Sequence, residues 1–360
     1  MQDNNTYVAI MAGGIGSRFW PASRTTRPKQ FLDILGVGKS LIQMTYDRFL
    51  KLCPKENIFI VTNGMYKNLV KEHLPDLTDN QILCEPSRNN TAPCVAYTAL
   101  KLENLNPDAN LIVAPSDHII LKEEAFVEKL QQALAFTANN DALLTLGIQP
   151  TRPDTGYGYI NFQTKGANGV HKVVKFTEKP QLEVAKSFVE SGDYLWNAGI
   201  FVWSVKSLLN AYQKYAKDIY DILNQGGDQY NSATEQAFID KMYPTTPSIS
   251  IDFAIMEKAD NVYTIPAEIG WSDLGTWASL HDTLDKDEQQ NTFAGAKVFA
   301  KNTSDCLVQV PKGKLVVIKG LENYMVIDND DVLLIYPKSD EQEVKKVTAE
   351  VRAAGEERYL

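Results

Sequence analysis

Short, largely apolar runs recur through the first part of the chain, at Tyr7 to Met11, Ile58 to Thr62, Gln81 to Cys84, Leu111 to Ala114 and Ala142 to Leu146. Helix-compatible stretches separate them, at Leu41 to Leu52, Met65 to His73, Ala92 to Leu105 and Glu123 to Thr137. Strands without polar alternation are covered on both faces, and strands divided by helices join in parallel. The pattern predicts a doubly wound α/β domain. From Tyr157 to about Thr177 the texture is again β, Gln181 to Glu190 and Val205 to Tyr215 fit helices, and a further strand is expected at Val262 to Ile265. These extend the same sheet and carry more loops to its edge.

After about Asn291 the pattern changes. Short β-rich runs at Cys306 to Val310, Leu315 to Lys319, Tyr324 to Ile327 and Val332 to Tyr336 are divided by Gly, Asn and Asp turns, with no long helix between them. Their close spacing suggests stacked short strands. The tail places Val344, Val347 and Val351 on one face of a charged helix, which is expected to dock. Residues 1–288 and 289–360 are the expected domains.

With 360 residues, 44% of them hydrophobic, the chain can bury a large core. A net charge of −9 argues against nucleic acid or an anionic membrane as partner, so local basic clusters stand out. Cys53, Cys84, Cys94 and Cys306 form no CxxC pair and lie in or beside apolar runs, as buried reduced thiols of a cytoplasmic protein would. The start MQDNNT lacks the basic-then-apolar pattern of a leader, and no window reaches 18 uncharged apolar residues. The histidines, His73, His118, His171 and His281, are scattered and suggest no zinc site.

The loop leaving the first strand reads AGGIGSRFWPASRTTRPKQFL, residues 12 to 32. An open α/β sheet meets its ligand at the carboxyl ends of its strands. Gly13, Gly14 and Gly16 allow close backbone approach and present N–H groups to an anion, while Arg18 and Lys29 add positive charge. Together these describe a polyphosphate cradle. Neither the third glycine of a dinucleotide fingerprint nor GxxxxGK[ST] is present.

This segment resembles the signature of nucleotide-sugar nucleotidyltransferases, and its Trp-Pro-x-Ser-Arg continuation and Pro-Lys-Gln-Phe ending resemble the mannose-1-phosphate guanylyltransferase (GDP-mannose pyrophosphorylase) branch. The likeness runs over about residues 7 to 337. It implies a Rossmann-like mixed sheet of the glycosyltransferase-A type, followed by a short left-handed β-helix that often packs against a neighbouring subunit, hence a homodimer. It also implies that Arg18 and Lys29 act catalytically on the triphosphate, with Ala12, Gly13, Gly14, Gly16, Ser17 and Ser116 around the nucleotide.

EPSRNNTAP, residues 85 to 93, resembles the family's guanine-recognition loop, with Glu85, Pro86, Arg88, Asn89, Asn90 and Thr91 as nucleotide contacts. Chemically, Asn89, Asn90 and the backbone beside Pro86 can offer the amide and carbonyl groups a base needs. On local sequence alone the stretch also reads as a turn before a helix capped by Thr91. A basic residue usually precedes Asn-Thr-Ala-Pro in the family; here Asn89 holds that place and Arg88 stands one earlier.

Asp117, in VAPSDH, reads as either a cation ligand or a helix cap, and the loop GWSDLGTW offers Asp273, or Ser272, as a cap. The resemblance makes Asp117 and Asp273 the ligands of Mg²⁺, a hard ion that takes oxygen donors. GYGYI (156–160), FTEKP (176–180), WNAGIF (196–201) and SIDFAIME (250–257) resemble the family's sugar loops. They point to Tyr157, Gly158, Glu178, Lys179, Asn197 and Asp252 as sugar-phosphate contacts, Glu178 and Asn197 on hydroxyls and Lys179 on the phosphate.

The implied reaction is transfer of GMP from GTP to mannose 1-phosphate. A sugar phosphate is already ionised at neutral pH, so no general base is required, and positioning plus charge neutralisation carry the catalysis. Two alternatives stand beside it: a related transferase making UDP- or dTDP-glucose, and a non-catalytic regulatory subunit.

Overall fold

The computed structural model describes residues 4–163, 166, 168–295, 297–329 and 331–360. The chain divides into two compact units, the first made of residues 1–13, 45–116 and 120–271, the second of 14–44, 117–119 and 272–360. The division passes through the opening loop, between Gly13 and Gly14.

The first unit is built on β1 (Thr6–Met11), β2 (Ile58–Asn63), β3 (Ile82–Glu85), β4 (Asn110–Pro115), β5 (Leu143–Ile148), β6 (Tyr159–Phe162), β7 (His171–Thr177), β8 (Tyr194–Ser204) and β9 (Val262–Pro266). They form one sheet in the order β3-β2-β1-β4-β8-β5-β9-β7-β6, and β8 also pairs with β6. Strands β1 to β4 run parallel, as the separated apolar runs predict. β8 enters antiparallel between β4 and β5, and this makes the sheet mixed. Val8, Ile10, Ile60, Leu111, Ile112 and Val113 are fully buried, which is why these strands carry no polar alternation.

The helices Thr91–Leu105, Glu123–Thr137 and Val205–Tyr215 lie where the sequence places them, within a residue. Helix Thr91–Leu105 buries Ala92 through Leu102 without interruption, including Lys101, whose ammonium pairs 2.6 Å from Glu235 Oε2. Its cap differs from the expectation. Asn90, at φ 68°, accepts from Thr91 N, whereas Thr91 Oγ1 accepts from Ile251 N at 2.9 Å and ties the helix start to a distant segment.

The second unit has its own core. Phe19, Trp20, Ile34 and Leu41 of the opening segment pack with Ile119, Leu274, Trp277 and Leu280, with Leu307, Met325, Ile327 and Leu334 of the β module, and with Val344 of the terminal helix Val344–Ala353. Val347 and Val351 pack against the same cluster, so the tail docks by the face its periodicity marks. Trp277 Nε1 donates to the Trp20 carbonyl at 3.1 Å, and Trp20 Nε1 donates to the Tyr359 carbonyl at 2.7 Å.

In the β module, β10 (Thr292–Ala294), β12 (Leu307–Gln309) and β14 (Tyr324–Asn329) stack in parallel, as do β11 (Lys297–Lys301) and β13 (Leu315–Lys319). Ser304 bridges Glu322 in the same sense, and β15 (Val332–Pro337) closes antiparallel on β14. Successive passes of the chain thus lie one above another. No helix among the described residues is long and apolar enough to cross a membrane.

Candidate active site

In the second unit, the carbonyls of Gly14, Ile15 and Gly16 each accept a hydrogen bond. Gln30 Nε2 donates to Gly14 O at 3.0 Å, Ser23 Oγ and Lys29 N donate to Ile15 O, and Phe19 N donates to Gly16 O. The N–H groups of residues 14 to 18 find no partner among the described residues. A row of unpaired backbone donors is an anion site. Gly16 is required, at φ +71° and with a Cβ position 2.6 Å from Lys29 Cβ. Arg18, half-buried, has no hydrogen-bonded partner among the described residues, and its charge is felt at Glu341.

Lys29 is differently placed. Its Nζ lies 2.7 Å from Asp117 Oδ2, 3.0 Å from the Asp273 carbonyl and 2.9 Å from the Leu274 carbonyl, over the Phe19 ring. An ammonium has three N–H donors, so all are engaged. Asp117 and Asp273, 156 positions apart in sequence, thereby meet at one cation. Burial raises the Asp117 pKa, but Lys29 and His118 together outweigh it and hold the carboxyl below its ordinary value. Asp273 Oδ1 accepts from Gly275 N at 2.9 Å, and a side chain at Gly275 would strike its carboxylate. Neither Asp273 nor Ser272 caps the following helix Trp277–Thr283, which Thr276 and Ser279 close with a reciprocal capping box.

Asp117 and Asp273 offer hard oxygen donors. Among the described residues no cluster of three or more His, Cys, Asp or Glu forms a self-sufficient metal cage. Two carboxylates completed by substrate oxygens are the donor set that suits Mg²⁺.

In the first unit, the loop after β3 is fixed in detail. Ala12 N donates to Val61 O and Ser116 N to Met11 O, which sets the strand ends of β1 and β4. Glu85, at the tip of β3, receives the Tyr243 hydroxyl on Oε1 and directs Oε2 toward Gly13, where a Cβ would stand 3.4 Å away. Burial pushes the Glu85 carboxyl up to about 7, and the Tyr243 and Cys94 hydrogen bonds only partly oppose this. Asn89 Nδ2 donates to Tyr243 O, Thr246 O and Thr246 Oγ1 at 3.0, 2.9 and 3.0 Å. Arg88 donates to the Tyr66 hydroxyl at 3.0 Å and lies over its ring. Asn89 and Asn90, expected at the base, spend these amide atoms on holding the loop and capping the helix. Sequence reasoning missed Tyr243, Thr246 and Gln30; only Gln30, inside the Pro-Lys-Gln-Phe ending, carried a signal.

The sugar candidates also converge in the first unit. Asn197 lies within β8 rather than in a loop; its Nδ2 donates to Asp252 Oδ1 at 3.0 Å while its Oδ1 accepts from Thr145 Oγ1 at 2.9 Å. Lys179, at φ 45°, pairs with Glu178. A Cβ on Gly158 would lie 2.5 Å from Glu178 Oε2, so this glycine lets the carboxylate approach the backbone. Asp252 opens a π-helical turn, Asp252–Met256, a geometry that re-aims side chains at functional sites. Burial, then the neighbouring Glu178 charge, lift its carboxyl to about 7, against the pull of Lys179. Tyr157 stacks edge-on against Trp196 and Trp271, at 4.9 and 5.2 Å.

Residues 7–290 match the Nucleotidyl transferase family model. The chain is 37% identical over 343 residues to the mannose-1-phosphate guanylyltransferase RfbM of Salmonella typhimurium, covering 94% of this chain and 71% of the relative. It is 36% identical over 350 residues to the xanthan biosynthesis protein XanB of Xanthomonas campestris, covering 96% and 73%. Among solved structures, a Thermus thermophilus protein described as a mannose-1-phosphate geranyltransferase superposes with a TM-score of 0.86 at 29% identity, over 97% of this chain and 99% of that one.

Proposed function

The chain belongs to the nucleotidyl transferase family, and we propose that it joins the GMP of GTP to mannose 1-phosphate, forming GDP-mannose and pyrophosphate. The observation that carries the reading is the row of amides at residues 14 to 18 with no partner among the described residues, beside an Arg18 with no hydrogen-bonded partner among them, a polyanion cradle on the segment whose sequence marks the family. Relatives named as mannose-1-phosphate guanylyltransferases over nearly the whole chain support the choice of substrates.

A phosphate oxygen of mannose 1-phosphate attacks the α-phosphorus of GTP in line; the new P–O bond forms as the bond to the bridging oxygen of the β-phosphate breaks, and pyrophosphate leaves. No proton needs to be removed from the nucleophile. Arg18 and the amides of residues 14 to 18 take up charge that grows on the triphosphate. Lys29 holds Asp117 and the Asp273 main chain in one place, and on exchanging Asp117 for a phosphate oxygen it adds its own charge. Asp117 and Asp273 would hold Mg²⁺, which when bound supplies charge neutralisation to the triphosphate. Glu178, Asn197 and Asp252 orient the sugar hydroxyls, and Lys179 the sugar phosphate.

The reading keeps residues 1–288 as the catalytic region and 289–360 as the appended module, which we take to coil left-handed. Exposed Phe299, Leu315 and Val317 on β11 and β13 support a homodimer through that module. Four buried, unpaired thiols fit a cytoplasmic setting.

The test is pyrophosphate release with Mg²⁺ across GTP, ATP, UTP and dTTP, each with mannose 1-phosphate or glucose 1-phosphate. Selective release with GTP and mannose 1-phosphate is expected. Selectivity for another pair overturns the substrate assignment, and silence throughout overturns catalysis.

A further inference from the structure

We propose that Tyr243 is a positioning residue for recognition of the purine: through its hydroxyl and its carbonyl it fixes Glu85 as the acceptor that separates guanine from adenine. The inference rests on the guanylyltransferase reading and assigns the base station within it.

Guanine presents N–H donors at N1 and at its 2-amino group, and adenine lacks both of these in that arrangement, so discrimination calls for an acceptor fixed in place. The loop after β3 narrows the choice. The side-chain nitrogen of Asn89 is saturated by three acceptors on the segment 243–246, and the side-chain oxygen of Asn90 caps a helix. Arg88 is a donor engaged with Tyr66. Glu85 is the one carboxylate of this loop, with Oε1 held by Tyr243 and Oε2 directed toward Gly13 at the carboxyl edge of the sheet, where ligands of such sheets bind.

One residue sets both ends of this arrangement. The Tyr243 hydroxyl donates to Glu85, and the Tyr243 carbonyl receives Asn89, fixing the loop four residues on. Tyr243 is itself fully buried, on the short 3-10 turn Tyr243–Thr245. The titratable groups facing Glu85 are Tyr243 and the Cys94 thiol of helix Thr91–Leu105, and both hydrogen bonds favour its ionised form against burial. A carboxyl that titrates near 7 is the stronger acceptor for guanine's N–H groups when ionised, so the Tyr243 hydroxyl also shifts the pH at which the acceptor is at full strength.

Tyr243→Phe removes the hydroxyl and keeps the ring and the carbonyl. Calorimetric titration of the full chain with GTP and with ATP, without sugar phosphate, at several pH values between 6 and 8, reads the consequence. For Tyr243→Phe we expect GTP affinity to fall about tenfold or more, as for loss of a hydrogen bond to a charged group, ATP affinity to hold, and the pH midpoint of GTP binding to rise. The KM for mannose 1-phosphate stays unchanged. Glu85→Gln is a second variant, expected to lose both the GTP preference and its pH dependence. Retention of the preference and midpoint in Tyr243→Phe, or of the preference in Glu85→Gln, overturns the proposal. Absence of any GTP preference in the wild type instead overturns the substrate reading, and this inference with it.

Discussion

Lys29 and Asp117 form an ion pair, 2.7 Å between Nζ and Oδ2, in which the lysine side chain is 4% exposed and the aspartate 29%. Lys29 packs against Gly16 of the glycine turn, so the fold neutralises a cation with one of the carboxylates that, on the proposed reading, would hold the metal. On the proposed reading, a triphosphate arriving with its divalent ion would bring a replacement partner to each member. The charges could then exchange without either being left bare, and the pair would be a resting state of the site as well as a structural tie.

Arg18 and Lys29 should therefore fail differently when removed. Arg18→Ala takes away a group with no hydrogen-bonded partner among the described residues, so turnover should fall by at least about a hundredfold with little change in thermal midpoint. Lys29→Ala should lose as much turnover and also destabilise the fold by about 2 kcal/mol or more, because Asp117 and the two carbonyls lose their donor. Steady-state kinetics paired with urea melts separate the two. Wild-type turnover in both variants would refute the assigned role.

The glycines of the turn divide in the same way. Gly16→Ala places a Cβ 2.6 Å from Lys29 Cβ on a left-handed backbone, and a destabilisation of about 1–3 kcal/mol with loss of turnover is expected. Gly14→Ala meets nothing within 4 Å and should leave stability unchanged to within about 0.5 kcal/mol. Equal melts for the two variants would contradict the geometry.

Much of this was legible before any coordinates, and what was not has identifiable causes. The strands β1 to β4 announce themselves because both faces are buried, and the helices Glu123–Thr137 and Val205–Tyr215 keep their sequence limits. β8 was hidden. Its stretch YLWNAGIFVWS carries a glycine at φ 68° and a polar Asn197, which read as loop chemistry, although the strand runs through the middle of the sheet. Motif likeness joined Asp117 with Asp273, and the structure brings the Asp117 carboxylate and the Asp273 carbonyl to one lysine; the role of Asn89 was not legible, because its amide's partners lie on a turn more than 150 residues away. Tyr243 gave no signal at all for the same reason.

Stability should fall as pH rises from about 4.5 to 7. Glu85 and Asp252 keep their protons in the folded chain to about 7, whereas their ordinary values are 4.5 and 3.8. Between those limits the folded state binds more protons than the unfolded one, so the contribution is complete below the ordinary values and lost as pH climbs through about 7. The loss is on the order of 3–4 kcal/mol at most for each carboxyl. Urea midpoints at pH 5 and pH 8 measure it, and the difference should shrink in Glu85→Gln. A midpoint that instead increases toward pH 8 in wild type and variant alike would show that these carboxyls do not dominate.

The sugar station is tested at Gly158. A methyl group there would stand 2.5 Å from Glu178 Oε2 and 3.4 Å from Asn197 Cβ, so the carboxylate must move. Gly158→Ala should raise the KM for mannose 1-phosphate by about tenfold or more, the scale of one displaced charged contact, and leave the KM for GTP nearly as it was. A matching rise in both constants would mean that the substitution damages the fold rather than the sugar contacts.

Metal dependence follows from the donor set. Among the described residues no cluster of three or more possible ligands forms, so on the proposed reading an ion held by Asp117 and Asp273 would be shared with the substrate's phosphates and should exchange freely with solvent. Treatment with a chelator should abolish pyrophosphate release, and added Mg²⁺ should restore it fully, with no change in the thermal midpoint of the protein by itself. Asp273→Asn keeps the main-chain carbonyl that receives Lys29 and removes only the carboxylate charge. It should raise the Mg²⁺ concentration for half-maximal rate by about tenfold or more, while Asp117→Asn should do so and in addition weaken the fold through Lys29. If Asp273→Asn leaves the Mg²⁺ dependence unmoved, the second carboxylate is not a ligand, and Asp117 together with the triphosphate must hold the ion without it.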